Sequence, residues 1–155
     1  MEQKTKVAAE EGKQEIIITR MFDLPVELVF KAYTTADLIE QWMGNKVLKM
    51  ENKAHGSYQF ETKDASGNIL FRANGVIHEY IPNEQITRTF EMENTGFPVQ
   101  LEYLSFTQEG EEQSKLTMQI IFKSVADRDN LLKMPFASGI NMAHNQLQKV
   151  MIQLN

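Results

Sequence analysis

The 155-residue chain contains no cysteine, which excludes a disulfide framework, a thiolate nucleophile and any zinc site with sulfur ligands. It also lacks a long apolar run, because no stretch approaches the ~18 residues that a membrane-spanning helix needs. The N-terminal sequence has no apolar segment of the kind found in secretory signals. We therefore expect a cytoplasmic protein with no membrane partner.

Basic residues are fewer than acidic ones, and the formal net charge is −5. The arginines stand at positions 20, 72, 88 and 128 and do not cluster. Proteins that bind nucleic acid usually present a basic patch to the phosphate backbone. We therefore expect no nucleic-acid partner, and we expect a monomer or weak dimer.

Familiar catalytic and metal-binding motifs are also missing. The chain has no GxSxG, no phosphate-binding glycine loop and no HExxH. Its three histidines, His55, His78 and His144, do not have the spacing of metal ligands. We predict no metal site, no cofactor and no catalytic residue.

The pattern of apolar residues predicts one domain after a short tail. Residues 1–13 are polar and unpatterned, so we predict a disordered tail there and a folded domain over 14–155. A β-branched run at 15–22 predicts a strand, and two short helical patterns follow it. From about 46 to 123, alternating residues separated by turns predict consecutive antiparallel strands with one apolar face.

The end of the chain predicts the cover for that face. Pro135 interrupts a short helix, and a second helical pattern then continues to about Leu154. Apolar residues recur along it with helical spacing, at Ile140, Ala143, Leu147, Val150 and Leu154. The sequence thus predicts an α+β fold: a curved antiparallel sheet of six to seven strands, two short helices and a long C-terminal helix.

Several stretches resemble a known family when taken together in this order. They are Ile18-Thr19-Arg20-Met21-Phe22, Pro25 to Tyr33, Ala36 to Trp42, Gly56 to Phe60, Gly75 to Ile86, and Gly139. This arrangement resembles the START-like (SRPBCC) helix-grip superfamily, which includes the birch-pollen allergen. It is most similar to the branch of homologues of the activator of the heat-shock chaperone ATPase (AHSA-like). The resemblance implies a helix-grip fold around an apolar cavity.

The chain departs from the family pattern at a few positions near the expected mouth of the cavity. Met43 stands where a second tryptophan is usual, and Asn45 where proline is common. His55-Gly56 replaces a glycine pair. Because these positions surround the expected mouth, they bear on the identity of the ligand rather than on the fold.

Aromatic residues and methionines on the predicted inner surfaces are the candidates for lining a cavity, because methionine adapts to varied partners. Gly139 is included because a glycine inside a helix often marks a close approach to a strand or ligand. The predicted ligand-binding residues are Trp42, Tyr58, Phe60, His78, Arg88, Phe90, Met92, Met118, Ile120, Met134, Phe136, Gly139, Ile140 and Ala143.

Three functions remain open at this point. The first is non-catalytic binding of a small, largely apolar molecule that is lipid-, flavonoid- or polyketide-like. The second is a regulatory interaction with a chaperone ATPase, which the family resemblance implies. The third is a cyclase- or hydrolase-type enzyme, which would need a buried polar group in the cavity, and the candidates are His78 or Glu79, Arg72 and Arg88. Binding without catalysis is the expectation we carry forward.

Overall fold

A computed structural model describes residues 4–154 as one sheet of eight strands with four helices. The strands are β1 (Lys6–Ala8), β2 (Glu15–Phe22), β3 (Lys46–Met50), β4 (Ser57–Lys63), β5 (Ile69–Ile81), β6 (Gln85–Met92), β7 (Gln100–Gly110) and β8 (Gln113–Ile121). The helices are α1 (Val26–Thr34), α2 (Ala36–Met43), α3 (Val125–Leu132) and α4 (Phe136–Leu154).

The sheet is antiparallel throughout, with strand order β1-β2-β8-β7-β6-β5-β4-β3. After β2, the two short helices carry the chain to the opposite edge at β3. The strands then return one by one until β8 pairs with β2. The predicted α+β helix-grip architecture is confirmed, with one strand more than the six to seven expected.

The additional strand is β1, which lies within the segment predicted to be a disordered tail. That prediction is wrong for residues 4–13, and residues 1–3 lie outside the described part of the chain. Val7 pairs with Ile18 on β2, and the Arg128 side chain donates a hydrogen bond to the Glu10 carbonyl at 2.6 Å. Composition misled the prediction because an open strand edge binds backbone groups, whatever the polarity of the side chains.

Helix α4 covers the apolar face of the sheet, as its spacing predicts. Leu147, Val150 and Met151 are buried in one cluster with inward residues of β2 and β8 such as Ile18. Leu154, which the spacing placed in the same stripe, is 61% exposed. The prediction is wrong at this position, which is the last residue of the helix.

Gly75 allows a tyrosine to cross between two strands. The regular pairing of β5 with β6 stops after Asn74 and resumes at Ile77, and in this gap the Tyr58 hydroxyl donates to the Thr89 carbonyl at 2.5 Å. A Cβ atom on Gly75 would overlap the Thr89 carbonyl oxygen and the Tyr58 hydroxyl. Glycine is therefore required here by the close approach of these groups.

Gly139 is in the opposite situation. It is exposed, and a Cβ atom there would meet no neighbouring atom within 4 Å. The predicted close approach of this helical glycine to a strand or ligand is wrong, since the residue lies on the outer side of α4.

The two glycines should respond oppositely to alanine. Gly75→Ala should lower the free energy of unfolding by about 1–3 kcal/mol because the methyl group overpacks the site. Gly139→Ala should raise it by up to ~1 kcal/mol because alanine has the higher helix propensity. Urea denaturation measures both, and a Gly75→Ala protein as stable as the parent would contradict the close packing described here.

Candidate functional site

A cavity of about 210 Å³, called the main cavity below, lies between the sheet and the helices. Its apolar lining consists of Ile18, Ile39, Trp42, Met43, Phe60, Phe90, Met118, Ile120, Phe136, Ile140 and Ala143. Its polar lining consists of Tyr33, Arg88, Gln100 and Glu102. The site is therefore largely apolar, with a few polar groups gathered on β6, β7 and α1.

A buried ion pair forms the polar part of this wall. Arg88 on β6 lies directly opposite Glu102 on β7, and its Nε donates to Glu102 Oε1 at 2.9 Å. Gln100 Nε2 donates to Glu102 Oε2 at 2.8 Å. The Arg88 guanidinium also lies over the Tyr58 ring, 5.0 Å from its centroid, in a cation–π contact.

The inward direction of Arg88 follows from strand alternation. Ile86 and Arg88 are buried on the same face of β6, and the candidate direction taken from this parity is confirmed. The register of β6 with β7 then places a carboxylate opposite the charge. A lone buried guanidinium would be strongly destabilising, so the fold depends on this partner.

Burial controls the protonation of the groups around the cavity. It raises the pKa of Tyr33 and Tyr58 far above the ordinary phenol value, although the Arg88 charge opposes the change. Burial alone would lower the pKa of Arg88, but Tyr58 and Glu102 outweigh it, and the pKa lies above its ordinary value. At neutral pH the two phenols are hydrogen-bond donors and Arg88 is a cation.

A chain of hydrogen bonds leads from the cavity to the N-terminal segment. The Tyr33 hydroxyl lies 2.9 Å from His144 Nε2, and His144 Nδ1 lies 2.7 Å from Thr5 Oγ1. His144 is completely buried among Phe22, Tyr33 and Trp42. Burial, and secondarily the nearby Arg20 charge, lower the pKa of His144 to about 3, so the ring is neutral at physiological pH.

The structure brings most of the predicted ligand-binding residues together. Those that line the main cavity are Trp42, Phe60, Arg88, Phe90, Met118, Ile120, Phe136, Ile140 and Ala143. Tyr58 is buried beneath Arg88 and does not line it. Whether the lining residues bind a ligand stays a prediction.

Met92 and Met134 line a neighbouring space instead. This side cavity of about 290 Å³ is bounded by Phe90, Met92, Gln100, Leu131, Met134, Pro135 and Phe136. It shares Phe90, Gln100 and Phe136 with the main cavity. The two spaces are therefore adjacent, with the Phe136 side chain between α3 and α4 contacting both.

His78 and Gly139 do not belong to the main cavity. The register of β5 against β6 shifts between Ile77 and Glu79, which makes His78 the extra residue of a bulge. His78 and Glu79 are consequently both exposed, although strict alternation would put them on opposite faces. Of the candidates for an inward polar group, His78, Glu79 and Arg72 are absent from the lining, and Arg88 is part of it.

Three polar residues of the cavity, Tyr33, Gln100 and Glu102, were missed at the sequence level. A signal did exist for the last two, since Gln100 and Glu102 share strand parity with Leu104 and Phe106, which are buried. A glutamate in the inward register of a strand indicates a buried partner. For Tyr33, the apolar helical face of α1 predicted burial but could not indicate contact with a cavity.

The described residues offer no other chemistry of the kinds considered above. Among residues 4–154, no group of three or more histidine, aspartate or glutamate side chains is arranged to hold a metal ion. No described helix combines the length and the apolar character needed to cross a bilayer. The polar groups of the main cavity are therefore the focus of the functional argument.

Comparison with known proteins agrees with this architecture. The family model "Activator of Hsp90 ATPase homolog 1-like protein" matches residues 23–151, which is most of the chain. The chain belongs to this family. Members of this START-like family share the strand, paired helices, sheet and long C-terminal helix seen here, so the resemblance inferred from the sequence is confirmed. No curated protein matches the chain.

Solved structures similar to this family member come from several bacteria. Protein Ms6760 from Mycobacterium smegmatis is 19% identical, with a TM-score of 0.83 over 95% of this chain and 96% of that one. A protein from Arthrobacter aurescens is 14% identical, with a TM-score of 0.84 over 96% and 91%. One from Staphylococcus epidermidis is 24% identical, with a TM-score of 0.78 over 94% of each chain. At these identities the similarity establishes the fold alone.

Breaking the ion pair in this family member should cost more stability than removing it. Glu102→Leu leaves the Arg88 charge buried without a counter-charge and should lower the free energy of unfolding by about 3–5 kcal/mol. The double variant Arg88→Met/Glu102→Leu should return close to the parent value, because apolar residues of similar volume replace both charges. Urea denaturation of the four proteins in this cycle provides the test.

The Arg72–Glu61 pair between β4 and β5 is the matched control, because Arg72 is more exposed to water than Arg88. Glu61→Leu should therefore destabilise the protein less than Glu102→Leu. Equal losses at the two sites would contradict the special role of burial at Arg88.

His144 should make the stability depend on pH. Its pKa is about 3 in the folded protein against 6.5 ordinarily, so the unfolded chain binds a proton first as the pH falls. The stabilisation is complete above pH 6.5 and decreases below it, by about 2 kcal/mol at pH 5. His144→Gln should remove this slope between pH 7 and 5, whereas the exposed His78→Gln should keep it. Chemical denaturation at several pH values checks both, and a slope unchanged in His144→Gln would count against it.

Proposed function

We propose that this protein binds a small, largely apolar molecule in the main cavity without transforming it. The observation that carries the proposal is the lining itself: apolar and aromatic side chains surround a space in which a few polar groups converge. This combination is typical of ligand sites, where apolar surface supplies affinity and a few polar groups fix orientation.

The size of the main cavity narrows the ligand class. A cavity of about 150 Å³ in another protein holds a benzene molecule. By that scale, the 210 Å³ found here suits a ligand of about eight or nine non-hydrogen atoms. Flavonoid-, lipid- or polyketide-like molecules are larger, and they would also need the side cavity, which movement of Phe136 would join to the main one.

Binding fits the polar groups better than catalysis does. Both carboxylate oxygens of Glu102 already accept hydrogen bonds, from Arg88 and Gln100. A general base needs a free oxygen within reach of the proton it removes. Glu102 instead orients the guanidinium, so a cyclase- or hydrolase-type reaction lacks an evident base in this cavity.

The family description supports an alternative function, regulation of a chaperone ATPase. In that case the purified protein should change the ATP hydrolysis rate of a bacterial Hsp90-type chaperone at saturating concentration. An unchanged rate together with no complex in a pull-down would remove this alternative, and it would leave the ligand-binding proposal untouched.

Filling the main cavity should abolish ligand binding. Ala143 lines the cavity, and Ala143→Leu would occupy part of its volume. We expect dissociation constants at least tenfold higher for small aromatic probes, measured by NMR titration, with thermal stability equal to or above that of the parent.

Ala137→Leu is the matched control, because Ala137 lies on the same helix and is exposed. It should bind the probes as the parent does. Equal binding by both variants would place the ligand outside the main cavity, and a parent protein that binds no compound in a panel of monocyclic and bicyclic aromatics, flavanone and fatty acids would refute the proposed function.

A further inference from the structure

We infer that the ligand of the main cavity is uncharged and carries a carbonyl-type hydrogen-bond acceptor, which the terminal nitrogens of Arg88 bind. This inference rests on the proposed function and specifies the chemical class of the ligand. Its basis is the hydrogen-bonding capacity, the charge balance and the size of the site.

The Arg88 guanidinium has unused donors at the cavity. Its Nε donates to Glu102, but within residues 4–154 its two terminal nitrogens make no hydrogen bond to the protein. Arginine has four N–H groups on these two atoms. The described residues contain no fully buried side-chain nitrogen or oxygen without a partner, so these nitrogens must be accessible, and Arg88 lines the main cavity.

An acceptor on the ligand would restore what the guanidinium loses when the cavity is dry. Burying a charged donor without a partner is costly, and hydrogen bonds to charged groups are stronger than neutral ones. A purely hydrocarbon ligand would displace water from Arg88 and offer nothing in return. The site therefore discriminates against hydrocarbons of the same shape.

The charge balance favours a neutral acceptor over an anion. Arg88 is the one basic residue and Glu102 the one acidic residue in the lining of the main cavity. The cation is already neutralised by a carboxylate 2.9 Å away. A carboxylate on the ligand would add a second negative charge beside Glu102 in a desolvated site, with no further cation to compensate it.

The shape of the site favours a compact aromatic body behind the acceptor. Trp42, Phe60, Phe90 and Phe136 supply flat apolar walls, and the volume matches about eight or nine non-hydrogen atoms. An aryl ketone meets each of these requirements: a ring for the walls, a carbonyl oxygen for Arg88 and no net charge.

Three probes of nearly equal shape test the inference. Acetophenone, α-methylstyrene and benzoate have the same number of non-hydrogen atoms and differ at one end, which is a carbonyl, a methylene and a carboxylate, respectively. Binding is followed by the methionine methyl resonances at neutral pH. Met43 and Met118 line the main cavity and report on occupancy, while Met21, which is absent from the lining, is the internal reference.

The parent protein should bind acetophenone roughly tenfold more tightly than α-methylstyrene, and more tightly than benzoate. Arg88→Met/Glu102→Leu should bind acetophenone and α-methylstyrene about equally. The control Arg72→Met/Glu61→Leu removes the other Arg–Glu pair, which does not line the main cavity, and should keep the tenfold preference.

Each contrary result has a separate meaning. Equal affinity of the parent for ketone and hydrocarbon would overturn the inference and leave the proposed function intact. Benzoate as the tightest ligand would overturn the preference for a neutral group. A preference for the ketone that persists in Arg88→Met/Glu102→Leu would remove Arg88 from recognition. If neither acetophenone nor α-methylstyrene binds, the inference and the proposed compact-ligand function both fail.

Discussion

The inward face of the eight-stranded sheet is apolar, and it is stable only while water is kept from it. Helix α4 provides most of that cover, with α1 and α2 completing it at one end. The cover is close along the C-terminal part of α4, where Leu147, Val150 and Met151 are buried. Toward its N-terminus, Phe136, Ile140 and Ala143 are only half-buried, and the main cavity opens there.

The buried ion pair helps explain why this space is not filled by side chains. Arg88 and Glu102 face inward from neighbouring strands, and the Arg88 terminal nitrogens need either water or a polar ligand. An apolar side chain packed against them would leave charged donors without partners. The cavity, the ion pair and the proposed carbonyl recognition are therefore aspects of one arrangement, in which the polarity of the strands limits how tightly α4 can pack.

The N-terminal segment is connected to the same site through His144. Thr5, His144 and Tyr33 form a continuous hydrogen-bonded series, and Tyr33 lines the main cavity. Because the histidine is neutral and fully buried, it links the segment around β1 to the cavity wall without adding a charge. A segment that looks like a polar tail in the sequence thus takes part in the structure behind the candidate site.

The sequence by itself determined the periodic features of this protein. Alternation along the strands predicted the inward direction of Arg88, and helical spacing predicted the covering role of α4, because both depend on local geometry that repeats every two or 3.6 residues. Most of the residues that line the cavity, including Trp42 and Phe136, were also predicted from their apolar character on these inner faces.

Only the tertiary structure decided the features that depend on contacts between distant segments. The partner of Arg88 is set by the register of β6 with β7, the exposure of His78 by a bulge in β5, and the order of β1 by the open edge of β2. The same holds for the two glycines, since Gly75 is constrained by Tyr58 and Thr89 from other strands whereas Gly139 meets nothing. Such contacts join residues far apart in the chain, and no local pattern of residue types encodes their geometry.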